Sequence, residues 1–511
     1  MLHDKIIVLD LGSQTNQLIA RRIREKGVYS ALYPHTTKAR EIEELSHVKG
    51  IILSGGPRSV YDQDALYIDP DIFKLDIPIL GICYGMQLLT NHIGGTITKT
   101  EKRAYGKASI ELMQKSRLLK GLEAKESVWM SHGDHVTALP KDYHITAKSP
   151  SCDIAAFENE TQKHYAVQFH PEVVHTEKGP LILDNFIFDI CDAKANWTME
   201  NYIEAQIKII QNNTKDKRVI LGLSGGVDSS VTAVLLHKAI KDRLTCIFVD
   251  HGLLRENEAQ EVMAMMKSYG SLDIVKIEAQ KTFLEALKGV KDPEEKRKII
   301  GNTFIKVFEK AAKDMKDVAY LAQGTLYTDL IESGTKTAET IKSHHNVGGL
   351  PKHMHLDLIE PLNNLFKDEV RALGEVLGMP DAMIHRQPFP GPGLAIRIIG
   401  EVDEEKLRML RKSDLILHEV IEADNLKSSI WQYFTVLTPL KTVGVMGDRR
   451  TYEHVLVVRA VSSKDGMSAE WAKIPHSTLE TISSRIVNEI SGINRVVYDI
   501  TNKPPGTIEW E

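Results

Sequence analysis

Reactive side chains in this sequence gather where a small-residue turn follows a short apolar run. The first such place is PILGICYGMQLL, in which Cys83 lies between an apolar stretch and a helical one, with Gly81 and Gly85 on either side. Glycines at that spacing permit a sharp strand-to-helix turn that exposes the side chain at a helix N-terminus. Free amides and the helix dipole favour a thiolate there, which makes Cys83 a candidate nucleophile; taken alone, it is equally compatible with a buried structural cysteine. The second place is QFHPE, residues 168–172, which closes the apolar run HYAVQF. In extended chain, residues two apart point the same way, so Glu172 is expected beside His170, orienting its imidazole as a nucleophile, base and orienter set requires. The third is SGGP, residues 54–57, after the apolar run GIIL. Glycines there let backbone amides approach a developing oxyanion, or simply turn the chain.

Farther along, LGLSGGVDSSVTAVLL reads as a strand, a glycine loop and a helix beginning near Ser229. Free amides at a helix N-terminus, in a loop without steric bulk, form an anion site suited to phosphate. The string is Ser224, Gly225, Gly226, Val227, Asp228, Ser229, Ser230, and it lacks the lysine of a Walker loop. Two later segments stay open between function and plain surface. GTLYTDLIES (324–333) carries Asp329 and Glu332 three apart, on one face if helical. IKSHHNVGGLP (341–351) has a basic front and a glycine-rich back that would suit a lid over phosphates.

These residues need elements to hold them, and the pattern predicts three blocks, two α/β and a small α+β one. From Lys5 to about Asp192, short apolar runs (IIVLDLG, GIILSGG, IPILGIC, HYAVQFH) alternate with helical stretches, which predicts a largely parallel sheet. The polar stretch 193–216 is helix-forming and contains no strand, so a boundary is expected there. A second α/β series follows, with TCIFVDHGLL, LDIVKIEA and VAYLAQG as strands, and it ends at DEVRALGEVLG, closed by Gly378 and Pro380. RQPFPGPGLA is expected to be turn and loop. Strands in TVLTPLKTVGVMGD, YEHVLVVRAV and NRVVYDIT around the helix TLETISSRIVNEIS then predict a small α+β domain. The expected domains are 1–192, 193–385 and 386–511.

Composition narrows the function classes. The chain has 511 residues, 42% hydrophobic and 26% charged, close to the average for folded globular proteins. Lys plus Arg is 64 against 69 for Asp plus Glu, without the basic excess that nonspecific nucleic-acid binding requires. The cysteines Cys83, Cys152, Cys191 and Cys246 are far apart, with neither a zinc-ligand spacing nor a disulfide framework, which predicts a reducing, cytoplasmic setting. No apolar run reaches the roughly 18 residues of a membrane span, and no export signal is read at the N-terminus.

The motifs in this order carry resemblances. Cys83, His170 with Glu172, and SGGP resemble the class I glutamine amidotransferase domain over about residues 5–192. That resemblance implies that Cys83 attacks the glutamine side-chain amide, that His170 passes a proton to the leaving ammonia, and that Glu172 holds His170. It also implies an oxyanion site at backbone amides near Gly56 and Tyr84, and glutamine contact by Gln87. Residues 224–230 are similar to the PP-loop of the ATP pyrophosphatases, which implies ATP as co-substrate, Mg²⁺ held with the help of Asp228, and the strand end at Phe248, Val249 and Asp250 beside the adenine. NAD synthetase shares that loop, so another glutamine-dependent ligase of this kind is one rival reading. A catalytically dead nucleotide-binding regulator is the other.

Over essentially its whole length the chain resembles the glutamine-hydrolysing GMP synthetase family, on GICYG, QFHPE, SGGVDSS, EEKRKIIG, HHNVGGLP, PFPGPGLAIR and KPPGTIEWE. The resemblance implies ATP-dependent conversion of xanthosine monophosphate (XMP) to GMP through an adenyl-XMP intermediate. It further implies that Arg297, Lys503 and Glu509 hold XMP, that Lys342 and His344 belong to a lid, that Asp329 and Glu332 lie near the activation site, and that a homodimer forms through the C-terminal domain. One departure is IKSHHN at 341–346, where the family has IKTHHN; Ser343 keeps the hydroxyl.

Overall fold

The run KIIVLD forms β1 (Lys5–Asp10), and its four central residues are buried. In this computed structural model, which describes residues 3–269, 272–334, 356–463 and 468–511, the chain divides into two compact units, Met1–Tyr202 and Ile203–Glu511. In the first unit β1 pairs in parallel with β2 (Tyr29–Pro34) and β3 (Val48–Leu53), followed by β4 (Ile79–Ile82). β5 (Thr96–Leu112), β6 (Lys125–Ala138), β7 (His144–Ser149), β8 (Cys152–Asn159) and β9 (His164–Val167) complete a nine-stranded sheet of order β2-β1-β3-β4-β9-β8-β7-β5-β6.

The expectation of a largely parallel sheet holds for the half from β2 to β9; β8, β7, β5 and β6 are antiparallel. The difference has a physical cause. Parallel strands are covered on both faces and read as continuous apolar runs, whereas β6 buries every second residue, Val128, Met130, His132, Asp134 and Val136, and shows no such run.

Strand order reverses between β1 and β3, and at such a switch point the loops beyond the C-terminal strand ends leave a crevice. Residues 11–15, 54–57 and Cys83 all lie on loops of this edge. The turn at Cys83 is sterically determined. A Cβ on Gly81 would come within 2.7 Å of the Gly85 backbone, and one on Gly85 within 2.3 Å of the Leu53 carbonyl oxygen. Between them Cys83 is held at φ 52°, a conformation that costs a non-glycine residue about 1–3 kcal/mol.

The second unit contains a parallel sheet of β10 (Arg218–Gly222), β11 (Leu244–Asp250), β12 (Asp273–Glu278), β13 (Val318–Ala322) and β14 (Asp357–Ile359), in the order β12-β11-β10-β13-β14. Its switch point lies between β10 and β13. A four-stranded sheet follows, in which β16 (Arg449–Ser462) pairs with β15 (Gln432–Met446), β17 (Glu470–Trp471) and β18 (Ile493–Asp499). One hydrophobic cluster joins the two sheets, running from Ile220 and Val249 through Leu394 to Leu417, Tyr433 and Ile493. Residues expected as separate second and third domains therefore pack as one unit, which begins inside the helix Met199–Thr214.

Two local expectations need correction. RQPFPGPGLA is not all loop: Gly393–Arg397 forms a short 3₁₀ helix whose residues are buried, and a Cβ on Gly393 (φ +63°) would meet the Leu253 carbonyl at 2.3 Å. The helix Glu404–Ala423, absent from the sequence reading, starts where the Asp403 carboxylate accepts from the Lys406 amide at 2.8 Å and buries Leu407, Leu410 and Leu417.

The fold predicts opposite effects at two glycines. Gly85→Ala should destabilise the first unit by about 3 kcal/mol or more, because its Cβ meets rigid backbone. Gly301→Ala, in the helix Pro293–Lys313 with nothing within 4 Å of a Cβ, should stabilise the second unit by about 0.5–1 kcal/mol. Urea unfolding followed for each unit checks both signs.

Candidate active sites

In the first unit the three sequence-predicted residues come together. Cys83 stands before the helix Tyr84–His92, and His170 and Glu172 follow β9. His170 Nδ1 lies 2.8 Å from Glu172 Oε1, and Cys83 is close enough to the imidazole to act on its charge. All three are buried. Thr15, from the loop after β1, donates its hydroxyl to the same Glu172 oxygen at 2.7 Å, and Arg22 Nε donates to the Glu172 carbonyl at 3.2 Å. The main chain of His170 is tied by its amide to the Trp129 carbonyl at 3.0 Å and by its carbonyl to the Thr176 hydroxyl at 2.6 Å.

A cavity of about 680 Å³, large enough for an amino-acid side chain and its backbone, opens over Cys83 and His170. Gly56, Tyr84 and Gln87 line it. Gly56 fits only as glycine, because a Cβ would lie 2.5 Å from the Leu11 carbonyl and 3.2 Å from the Tyr84 ring. The Tyr84 side chain is buried with its hydroxyl on the Leu66 carbonyl at 3.0 Å, so only its main chain is offered to a ligand. Gln87 Nε2 donates to the Asp134 carbonyl at 3.0 Å.

Two histidines at this cavity are held in opposite protonation states. Burial alone would lower the pKa of His170, but hydrogen bonds and charges from Cys83 and Glu172 override it and lift the value from 6.5 to about 10. Burial pushes His132 down to about 4, with its Nδ1 at 3.0 Å from the Asp134 carbonyl. At neutral pH the site therefore has one imidazolium, beside the thiol, and one neutral imidazole.

The glycine loop of the second unit follows β10, and its helix begins at Val227, two residues before the expected Ser229. Gly225 takes φ +79°, and Arg386 Nη1 donates to its carbonyl at 2.7 Å while pairing with Glu258. Ser224 and Ser229 share a hydrogen bond at 2.9 Å, and the Gly226 amide donates to Ser224 Oγ at 3.3 Å. Val227 faces the interior and Val249 lies in the core of β11, so these two can offer a ligand only main-chain groups, while the Ser230 hydroxyl is buried without a hydrogen-bond partner among the described residues. Asp228 sits at the switch point, with Gly324 of the loop after β13 against its backbone. One of its oxygens pairs with Lys367 Nζ; the other, Oδ1, is buried without a hydrogen-bond partner among the described residues.

Asp329 lies in the helix Tyr327–Gly334, and its carboxylate accepts from the Leu326 amide at 2.9 Å, capping that helix. Glu332 is on the same helix, with its side chain outside the described residues. Lys342, His344 and the whole of 341–351 also lie outside them. The tail KPPGTIEWE is ordered. Glu509 accepts both Arg397 Nε (3.1 Å) and Nη2 (2.8 Å), and also Gln432 Nε2 at 3.0 Å. Arg297 donates to the Glu511 main-chain oxygen, and its neighbour Lys296, fully buried, pairs with the Glu511 carboxylate. Lys503 pairs with Ala469 through both main-chain groups, at 2.8 and 3.0 Å.

Sequence reasoning missed Thr15, Arg386, Arg397, Gln432 and Lys367. Only Thr15 had a readable signal: GSQT after IIVLDL is a glycine turn at an apolar strand end, of the same kind as SGGP.

Comparison with known proteins places these geometries among relatives. The model of the class-I glutamine amidotransferases matches residues 7–190, that of NAD synthase residues 199–436, and that of the GMP synthase C-terminal domain residues 419–510. A glutamine-hydrolysing GMP synthase of Geobacillus kaustophilus is 58% identical over 511 residues, covering 100% of both chains. Those of Lactobacillus gasseri and Listeria innocua are each 60% identical, over 99% of this chain and 98% of their own.

The raised His170 value predicts a titration and a stability effect. A histidine with pKa lifted from 6.5 to about 10 stabilises the fold fully below 6.5, and that contribution is lost as pH rises through about 10. NMR of the labelled imidazole should find it protonated at pH 8 in the wild type. In Glu172→Gln the midpoint should fall by about 1 unit or more, since a hydrogen-bonded negative charge is lost.

Proposed function

The chain belongs to the family of glutamine-hydrolysing GMP synthases, and we propose that its named residues divide that family's reaction between the two compact units. XMP, ATP and glutamine are converted to GMP, AMP, pyrophosphate and glutamate. The observation that carries the amidase half is the 2.8 Å bond between His170 and Glu172 beside a thiol held on a strained turn. Identity of 58–60% over 99–100% of the chain favours this ligase over an NAD synthetase. The filled catalytic positions weigh against a silent regulator.

In the first unit, the Cys83 thiolate attacks the carbonyl carbon of the glutamine side chain. Amides near Gly56 and Tyr84 stabilise the oxyanion, and Gln87 contacts the substrate. The His170 imidazolium gives its proton to the leaving nitrogen, the C–N bond breaks, and ammonia departs from a thioester. His170, now neutral, takes a proton from water as the water attacks the thioester, and glutamate leaves with the thiolate–imidazolium pair restored. Glu172 and the Thr15 hydroxyl hold the imidazole in place.

In the second unit, the C2 oxygen of the xanthine ring attacks the α-phosphorus of ATP and pyrophosphate leaves. Ammonia then forms a bond to C2 as the C–O bond to AMP breaks. The amides and hydroxyls of 224–230 hold the phosphates, with the end of β11 at Val249 beside the adenine. Among the described residues there is no cluster of three or more metal-ligating side chains. The unpartnered Oδ1 of Asp228 nevertheless fits Mg²⁺, which commonly binds one protein carboxylate together with substrate phosphates and water. When bound, the ion would offset charge on the pyrophosphate. Arg297, Lys503 and Glu509 are assigned to XMP, Lys342 and His344 to the lid, and Asp329 and Glu332 to the surroundings of the activation site.

We further infer a homodimer through the sheet β15–β18. Val443 and Val445 lie two apart on one strand, Tyr452 pairs opposite Val443, and all three are exposed, Val445 at 75%. An apolar face of that kind suits a partner subunit. A cytoplasmic setting is assigned because the mechanism needs Cys83 reduced, and no helix among the described residues is long and apolar enough to cross a membrane.

Mass spectrometry after incubation with Mg-ATP, glutamine and XMP should find GMP and AMP in equal amounts; glutamine hydrolysis without AMP would remove the assignment of XMP. Cys83→Ala should lower glutamine-driven synthesis by about 1,000-fold or more while ammonia-driven synthesis stays within about 2-fold. Asp228→Ala should lower synthesis from either nitrogen source by about 100-fold. Val445→Asp should shift the molar mass by light scattering from two copies of 57.3 kDa toward one.

A further inference from the structure

Gln168 opens the run that contains His170 and Glu172, yet the amidase mechanism above does not use it. We propose that Gln168 is a catalytic residue of glutamine hydrolysis: its carboxamide N–H donates to Cys83 Sγ and stabilises the thiolate that attacks the substrate. The proposal rests on the reading of Cys83 as the nucleophile.

Geometry at the sulfur supports it. Gln168 is fully buried, and its Nε2 lies 3.7 Å from Cys83 Sγ. Sγ also lies 3.6 Å from the Ser131 carbonyl oxygen. In the thiol form the S–H can donate to that carbonyl. Once the proton has passed to His170, the same carbonyl oxygen faces a negative sulfur and repels it. The donors left at sulfur are then the imidazolium and the Gln168 amide. The amide must face the thiolate with its nitrogen, since its oxygen would add a second repulsive contact.

The other end of the side chain gives an independent reason. Gln168 Oε1 is buried without a hydrogen-bond partner among the described residues, which is uncommon for a buried polar atom. Leucine or methionine would occupy nearly the same volume without stranding a carbonyl. A buried amide whose side-chain bond goes to the reactive sulfur is accounted for by a role at that sulfur.

The test uses the full chain carrying Gln168→Met, and separately Gln168→Glu. The rate of Cys83 alkylation by iodoacetamide is followed against pH, together with steady-state glutamine hydrolysis. For Gln168→Met, the acid limb of the alkylation profile should move about 1 pH unit higher, and kcat should fall about 10-fold with KM within about 2-fold. Gln168→Glu should move the limb farther, because a carboxylate would face the thiolate. Ammonia-driven synthesis should persist in both and reports that the second unit is folded. An acid limb that stays in place or moves lower in either folded variant overturns the proposal, and if one variant does not fold the other decides. Failure of the underlying reading looks different: wild-type Cys83 would resist alkylation, and Cys83→Ala would keep glutamine hydrolysis.

Discussion

The amidase site depends on a close approach that only glycine allows. Gly85 lies against the Leu53 carbonyl and Gly81 against Gly85, so the strand-to-helix turn closes with Cys83 forced to φ 52°. Strain of about 1–3 kcal/mol at one residue is small beside the apolar burial of a nine-stranded sheet, and the sheet can hold it. The same closure brings Ser54 to Gly85, whose amide donates to the Ser54 carbonyl at 3.1 Å, so the SGGP loop and the cysteine turn are fastened to each other. Ser54 Oγ in turn accepts from the Leu11 amide at 2.9 Å, adding the loop that carries Thr15. Three loops from three parallel strands are thus fixed around one sulfur atom.

In the second unit, buried charges do the corresponding work. Arg397 and Arg459 are fully buried, and each holds a part of the C-terminal tail: Arg397 the Glu509 carboxylate, Arg459 the carbonyls of Thr501 (2.6 Å) and Thr507 (3.0 Å). Lys296 adds the Ala395 and Ile398 carbonyls and the Glu511 carboxylate. Buried ion pairs are weak evidence for stability, because desolvation offsets the attraction. Their clearer effect is geometric. A tail with little apolar content of its own is held in one conformation because releasing it would take the Glu509 carboxylate from Arg397, the Glu511 carboxylate from Lys296 and two carbonyls from Arg459, all buried cations.

The two sites differ in how legible they were in the sequence. Cys83, the pair His170 and Glu172, and the loop 224–230 were readable because each combines reactive residues with a local turn signal, and local chemistry survives in sequence order. Most of the parallel strands were readable as apolar runs; β2 and the three-residue β14 were not. β5 to β7 were not, because half-buried antiparallel strands interleave polar residues. Arg397 with Glu509, or Thr15 with Glu172, were beyond reach for another reason: their partners are 112 and 157 positions away. No local pattern encodes such a pairing, and a buried arginine looks like any surface arginine until its carboxylate is found.

The two sites also carry their charge differently. The thiol site is self-contained: the Cys83 sulfur, the His170 imidazolium and the Glu172 carboxylate are all side chains, and the thiolate of the proposed mechanism would make two of them anionic against one cationic, in a buried place where uncompensated charge is expensive. That excess of negative charge calls for neutral hydrogen-bond donors around it, and the Thr15 hydroxyl on Glu172 and the Gln168 amide on sulfur are of that kind. The phosphate loop, by contrast, offers amides, hydroxyls and one carboxylate already shared with Lys367. The polyphosphate of the proposed reaction would bring several negative charges, and a cation held with the help of Asp228 would offset part of them. The first site thus surrounds charges of its own with dipoles, while the second, in the proposed reaction, would meet a charged substrate with backbone and hydroxyl dipoles, its lysine being already paired with Asp228.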